Sequence, residues 1–131
     1  MPYVTQQRRV ELRACPIPKV AGEVNYLLTL ALIRAYRSSS FKWLGKATSD
    51  LIMRYWNEAD KQCYQTINDI LGAIDGAKRE FKRRTVASDI ELHLVEKQLN
   101  LALNAFYSKI AGPYEDDAII RNGDVYDNDG E

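Results

Sequence analysis

The chain has little cysteine, a single histidine, no excess of charge and no long apolar run, and each shortage excludes something. Two cysteines in 131 residues, Cys15 and Cys63, are too few for a disulfide scaffold or a cysteine-rich zinc site. They are expected to act as small buried hydrophobes in a reducing cytoplasm. The 18 basic residues cancel the 18 acidic ones, which excludes a uniformly basic nucleic-acid coat, a polyacidic mimic and a chain held soluble by a large net charge. The most apolar stretch, Tyr26 to Ile33, is far shorter than the ~20 residues of a membrane helix, and Arg34 and Arg37 close it. It also follows a polar opening, unlike the apolar region of a signal peptide.

Catalytic equipment is sparse as well. His93 is the one histidine, at helical spacing where packing or exposure is the ordinary role. No His/Cys/carboxylate cluster has zinc spacing, no serine sits in a nucleophile elbow, and no glycine-rich phosphate loop occurs. Asp127-Asn128-Asp129-Gly130 resembles part of a calcium loop, but Val125 would fill its first ligand position and no closing glutamate follows. Glu115, Asp116, Asp117 and Asp124 are hard oxygen ligands for a divalent ion, yet a solvated acidic tail accounts for them. No enzyme, metal or cofactor is expected.

What is present is helical. Apolar residues make up 46% and charged residues 27%, a globular balance with enough chain for one core. Thr5 caps a short first helix that Pro16 and Pro18 stop. Gly22-Glu23 opens a second, Val24 to about Arg37, so apolar all round that it must be central. Ser38-Ser39-Ser40 breaks it. A third region follows with Phe41, Trp43, Leu44, Leu51, Ile52, Tyr55 and Trp56, interrupted near Gly45 and restarted by a Ser49 cap. In the fourth, Asp60 to Arg84, Cys63, Ile67, Ile70, Ile74, Ala77 and Phe81 form a stripe at helical period. The fifth, Ser88 to Ala111, carries Leu92, Val95, Leu99, Ala102, Phe106 and Ile110, widened by Leu94, Leu101 and Ala105. Ser88 and Glu91 make a capping box at its start, and Pro113 marks its end. No segment alternates as a strand does. The expected fold is all-α: a bundle of about five helices over 1–114, with an acidic, partly extended strap over 115–131.

The opening Met1-Pro2-Tyr3-Val4-Thr5-Gln6, the pair Asn25-Tyr26, and the closing Pro113-Tyr114-Glu115-Asp116 with Asn122-Gly123-Asp124-Val125-Tyr126 resemble a family of small uncharacterised proteins of bacteriophages and microbial genomes. Ile67 to Ala73 and Ala77 to Phe81 in the fourth helix are similar to it too. In that family the fourth helix runs straight into the Pro-Tyr-Glu-Asp segment, whereas here a fifth intervenes. The resemblance implies a phage-type origin and a place in the host cytoplasm, and it transfers no active site.

Three features point to binding. Gly72 and Gly76 lie one turn apart in the fourth helix, each costing ~1 kcal/mol relative to alanine. Close packing of another backbone explains such a pair, from this chain or from a second copy in an oligomer. Lys78, Arg79, Lys82, Arg83 and Arg84 crowd the end of the same helix. They complement its dipole, and Arg79, Lys82, Arg83 and Arg84 could also converge on a phosphate or carboxylate. The run is too short for extended nucleic-acid binding. The strap holds seven acids and one base, leaving 17 bases and 11 acids elsewhere, so neutrality is the sum of two opposed segments. Its Ile119, Ile120, Val125 and Tyr126 are apolar enough to fold back on the bundle or on a neighbouring subunit, where the acids would meet the basic helix end. Trp43, Tyr55 and Trp56 could stack a flat ligand, although core packing explains them as well.

Two functions are compatible with this. One is a non-catalytic, oligomeric binding protein that sequesters a small anionic, nucleotide-like ligand through Arg79, Lys82, Arg83, Arg84, Tyr114 and Tyr126, conceivably a signal of host defence. The other is a protein-interaction module that meets a host or phage protein with a helix face, Gly72 and Gly76 included, or with the acidic tail.

Overall fold

In the computed structural model the described residues, 4–58 and 63–114, form five α-helices and no strand. They are α1 (Gln6–Ala14), α2 (Ala21–Ser38), α3 (Leu44–Glu58), α4 (Tyr64–Arg84) and α5 (Asp89–Tyr114). The fold is the all-α bundle expected; the strap, 115–131, lies outside the described residues.

Local chemistry sets most boundaries. Thr5 Oγ1 accepts the Arg8 amide at 3.2 Å and starts α1, satisfying a donor that has no partner within the first turn. Ser39, with φ of 53°, ends α2 in the left-handed region, and its amide and that of Ser40 close onto the Tyr36 and Ala35 carbonyls. At α5 the box is complete: the Glu91 amide donates to Ser88 Oγ at 3.2 Å and the Ser88 amide to Glu91 Oε1 at 2.9 Å.

Two expectations about helices need correction. α3 is unbroken from Leu44 to Glu58, and Ser49 is a buried residue inside it, not a cap. Gly45 sits in the first turn, where amides lack helical acceptors, and its N–H donates to Gln98 Oε1 of α5 at 3.0 Å. A Cβ at Gly45 would stand 2.8 Å from that oxygen, so the glycine admits a neighbour rather than breaking the helix. α5 continues past Ala111 to Tyr114. A proline withdraws its own amide from the ladder and crowds the residue before it, and here that residue is Gly112, which has no Cβ to clash.

Direction follows from the ring contacts. Tyr36, near the end of α2, meets Phe81, near the end of α4, edge to face at 5.9 Å, while the start of α2 faces Asn68 to Ala73. These two helices run parallel. Gly45 beside Gln98 and Trp56 beside Phe106, at 5.4 Å, make α3 and α5 parallel as well. α2 also packs against α3, so it is the central helix its composition requires. α4 and α5 are linked by the Lys78–Glu96 ion pair at 3.3 Å. One core joins all four: Val24, Leu28 and Leu32 of α2, Ile52 and Trp56 of α3, Ile70, Ile74 and Phe81 of α4, and Leu99, Phe106 and Ile110 of α5. Burying each of the larger side chains contributes roughly 1.5–3 kcal/mol. α1 adds a small satellite through Leu12, packed with Val4 and Tyr26.

Several residues expected inside are not. Cys15 is exposed and Cys63 half-buried, because both lie at helix ends instead of on a stripe. Leu94 and Leu101 are exposed, as is Trp43. The core stripe of α5 is the narrow one, Val95 to Ile110, since α3 is the helix packed closely on it.

Candidate functional site

The basic end of α4 is largely self-neutralised. Arg79 Nη2 contacts Asp75 Oδ2 at 2.9 Å, one turn back. Arg83 Nη2 and Arg84 Nε both donate to Glu80 Oε1, at 2.9 and 2.8 Å. Those bonds, Arg83 first and Arg84 second, hold the Glu80 carboxyl down at about 2, and the Arg83 guanidinium is raised in turn. Lys82 makes no ion pair among the described residues. It borders a cleft of about 150 Å³ with Lys78, Phe81, Leu92, His93, Val95 and Glu96. Small-molecule sites usually measure ~300–1,000 Å³, so this cleft suits nothing larger than a single small anion. Tyr114 ends α5, a helix that starts beside Arg84 and runs ~39 Å at 1.5 Å per residue. It therefore stands at the far end from the arginines. Tyr126 lies outside the described residues, as do Glu115, Asp116, Asp117 and Asp124. Among the described residues no three His, Cys, Asp or Glu side chains gather as metal ligands would.

The two glycines of α4 part company. At Gly76 an added Cβ would overlap the amide of Asn25, a buried α2 residue whose backbone carbonyl and side-chain oxygen both receive Thr29 Oγ1, at 2.7 and 3.2 Å. Gly76 therefore has a reason within the chain. Gly72 has none: nothing lies within 4 Å of the position its Cβ would take. It opens onto a groove of about 430 Å³ whose other walls are Ala21, Gly22 and Asn25 of α2 and Asn68, Asp69 and Ala73 of α4. Helical geometry sets Tyr64, Asn68, Leu71, Gly72, Asp75 and Arg79 on one side of α4. Of these, Tyr64 is 39% and Leu71 37% exposed. The result is an outward face with a flat centre, two apolar side chains and an Asp–Arg pair at one end.

Two polar contacts hold the elements behind this face, and their links between helices, Arg8 to Glu23 and Tyr55 to Asp69, are not visible from sequence spacing. Arg8 of α1 grips Glu23 of α2 with two bonds, Nε to Oε2 at 2.8 Å and Nη2 to Oε1 at 3.0 Å. Glu23 also accepts the Lys19 amide at 2.8 Å. Chiefly through Arg8, its carboxyl is held below the usual carboxylate range. Asp69 receives Gln65 Nε2 at 3.0 Å and the Tyr55 hydroxyl at 3.4 Å; burial first, then the Asp69 charge, raises the phenol. A bidentate pair 15 residues apart in different helices leaves no periodic signature. Gln65 and Asp69 do stand at i and i+4 and were readable.

The fold is a small helical bundle with open faces. The chain belongs to the DUF6899 family, a domain of unknown function, whose model matches residues 1–97. The match covers the Met1 to Gln6 opening and α1 to α4, and ends within α5; the 113–126 segment lies beyond it. No curated protein sequence matches the chain, and no solved structure does. No helix among the described residues is long and apolar enough to cross a membrane.

Proposed function

We propose that this protein works by binding rather than by catalysis, as a protein-interaction module whose docking face is the Gly72 side of α4. The occupant is a helix of a second copy of the chain. Gly72 is the observation that carries the reading. A glycine inside a helix costs ~1 kcal/mol, and packing within the chain gives nothing back at this one. Two copies crossing at Gly72 would bring backbones close, bury Leu71 from both sides and let each Asp75–Arg79 pair face the other chain. The contact would be isologous, as in most homodimers. Sedimentation of wild type and Gly72→Leu tests it. Wild type is expected to exceed the 15.0 kDa of one chain, and the leucine variant to sediment as a folded monomer.

The second reading, sequestration of a small anionic, nucleotide-like ligand by a phage-type protein against host defence, draws on Lys82, whose cleft with Lys78 and His93 has room for one phosphate group of such a ligand and not for the whole of it. Phage origin and a host-cytoplasmic setting rest on the resemblance of the two chain ends. Stabilisation by a nucleotide or phosphate in a thermal-shift panel supports this reading, by about 2.7 kcal/mol at a hundredfold excess over Kd. No shift at millimolar ligand removes it.

A further inference from the structure

The exposed side of α4 is complementary to itself when turned end for end. From Tyr64 to Arg79 the exposed positions of the helix are 64, 65, 68, 71, 72, 75 and 79. At roughly 100° per residue, all of them but 65 lie within about 50° of one line along the helix. Gln65 is turned to Asp69 of its own helix, at 3.0 Å. The other positions form pairs around the midpoint between Leu71 and Gly72: 71 with 72, 68 with 75, and 64 with 79. Each pair joins unlike partners, a leucine and a glycine, an amide and a carboxylate, an aromatic ring and a guanidinium.

A two-fold contact between two α4 helices is either antiparallel or parallel. In the antiparallel arrangement centred on that midpoint, each position faces its mate on the other chain. Leu71 then fills the place beside Gly72, where nothing lies within 4 Å of the position a Cβ would take, and it does so twice. The Asn68 amide donates to the Asp75 carboxylate. The Arg79 guanidinium, on a side chain 80% exposed, lies over the exposed Tyr64 ring. Neither contact requires the Asp75–Arg79 pair within each chain to break. The parallel arrangement sets Asp75 against Asp75, Arg79 against Arg79 and glycine against glycine. Like charges then meet, and the hollow at Gly72 stays unfilled.

We infer that two copies pair through α4 in antiparallel, with Leu71 of each against Gly72 of the other, Asn68 against Asp75 and Tyr64 against Arg79. This direction and register rest on the α4 docking face proposed above, and they make Tyr64 and Asn68 the residues that fix them. Thiol cross-linking tests the pairing in full-length chains whose Cys15 and Cys63 are changed to serine. Tyr64→Cys and Arg79→Cys are made in separate chains and mixed. A short bismaleimide, matched to the ~8–10 Å between packed helix axes, is then added. In antiparallel pairing each new thiol stands ~22 Å along the helix from its own counterpart, at 1.5 Å per residue, and beside the other one. The mixture is expected to form covalent dimers at least fivefold faster than either variant alone, with the second Tyr64–Arg79 contact of the mixed dimer intact. Tyr64→Cys or Arg79→Cys joining its own copy as fast would mean parallel pairing and overturn the inference. A mixture no faster than its components, while Leu71→Cys still cross-links, overturns it too and leaves the α4 face standing. Failure of Leu71→Cys as well removes the face and the pairing together.

Discussion

Replacing Gly72 and Gly76 by alanine, one at a time, should move stability in opposite directions. The helix-propensity term is the same at both sites, ~1 kcal/mol in favour of alanine, reinforced by a stiffer unfolded chain. At Gly72 nothing within 4 Å opposes it, so the full gain should appear. In a domain of this size that is roughly 3–5 °C in Tm. At Gly76 the new methyl displaces the Asn25 amide, which must turn inside a buried site and give up bonds such as the 3.2 Å contact with Thr29. Leaving a buried polar group unsatisfied costs about 1–3 kcal/mol. The net effect is a loss of up to about 2 kcal/mol. Urea unfolding of the dissociated monomer, at a concentration where sedimentation finds single chains and with Tm measured alongside, reads both; in a dimer packed on Gly72 the same methyl would also weaken association. A destabilised Gly72→Ala, or a Gly76→Ala as stable as Gly72→Ala, would refute the assignment of one glycine to the chain's own packing and the other to an open face.

Further consequences follow from the polar contacts. Thr48 is buried in α3 with its hydroxyl unpartnered, so Thr48→Val should raise stability by about 1 kcal/mol in the same urea assay; a loss would mean the hydroxyl has a partner. Glu23→Gln weakens both bonds from Arg8 and should cost about 2 kcal/mol, with α1 released first in amide exchange; uniform loss of protection across the bundle would contradict this. Acid should also act through depressed carboxyls. Glu80, at about 2 when folded against an ordinary 4.5, contributes stability that is whole above pH 4.5 and lost as pH falls toward 2. Glu80→Gln should flatten that part of the stability–pH curve, while an unchanged slope would show the Arg83–Glu80–Arg84 fork to be energetically idle.

Where neighbours along one helix decide the structure, the sequence is informative. The Ser88–Glu91 box, the Thr5 cap and the stripe from Ile67 to Phe81 are contacts within a turn or two, and each is found. The reading fails where a partner comes from another helix. Gly45 resembles a helix breaker until Gln98, 53 residues on, is seen to take its amide. Leu94 and Leu101 look like core until α3 proves narrower than the apolar stripe it covers. The basic end of α4 is a different case. Counting its cations makes it an anion site, whereas adding Asp75 and Glu80, three or four residues earlier in the same helix, removes most of the free charge. The open face at Gly72 was half legible: spacing paired the two glycines, and only packing distinguishes them.

The central claim is that α4 meets α4 of a second copy at Gly72. Leu71→Cys, in a chain whose Cys15 and Cys63 are changed to serine, puts one thiol beside the proposed axis of contact. Under mild oxidation at micromolar concentration this variant should form a covalent dimer rapidly, and an equivalent Val10→Cys control on α1 should not. Failure of the Leu71→Cys variant to cross-link faster than the control would contradict the account.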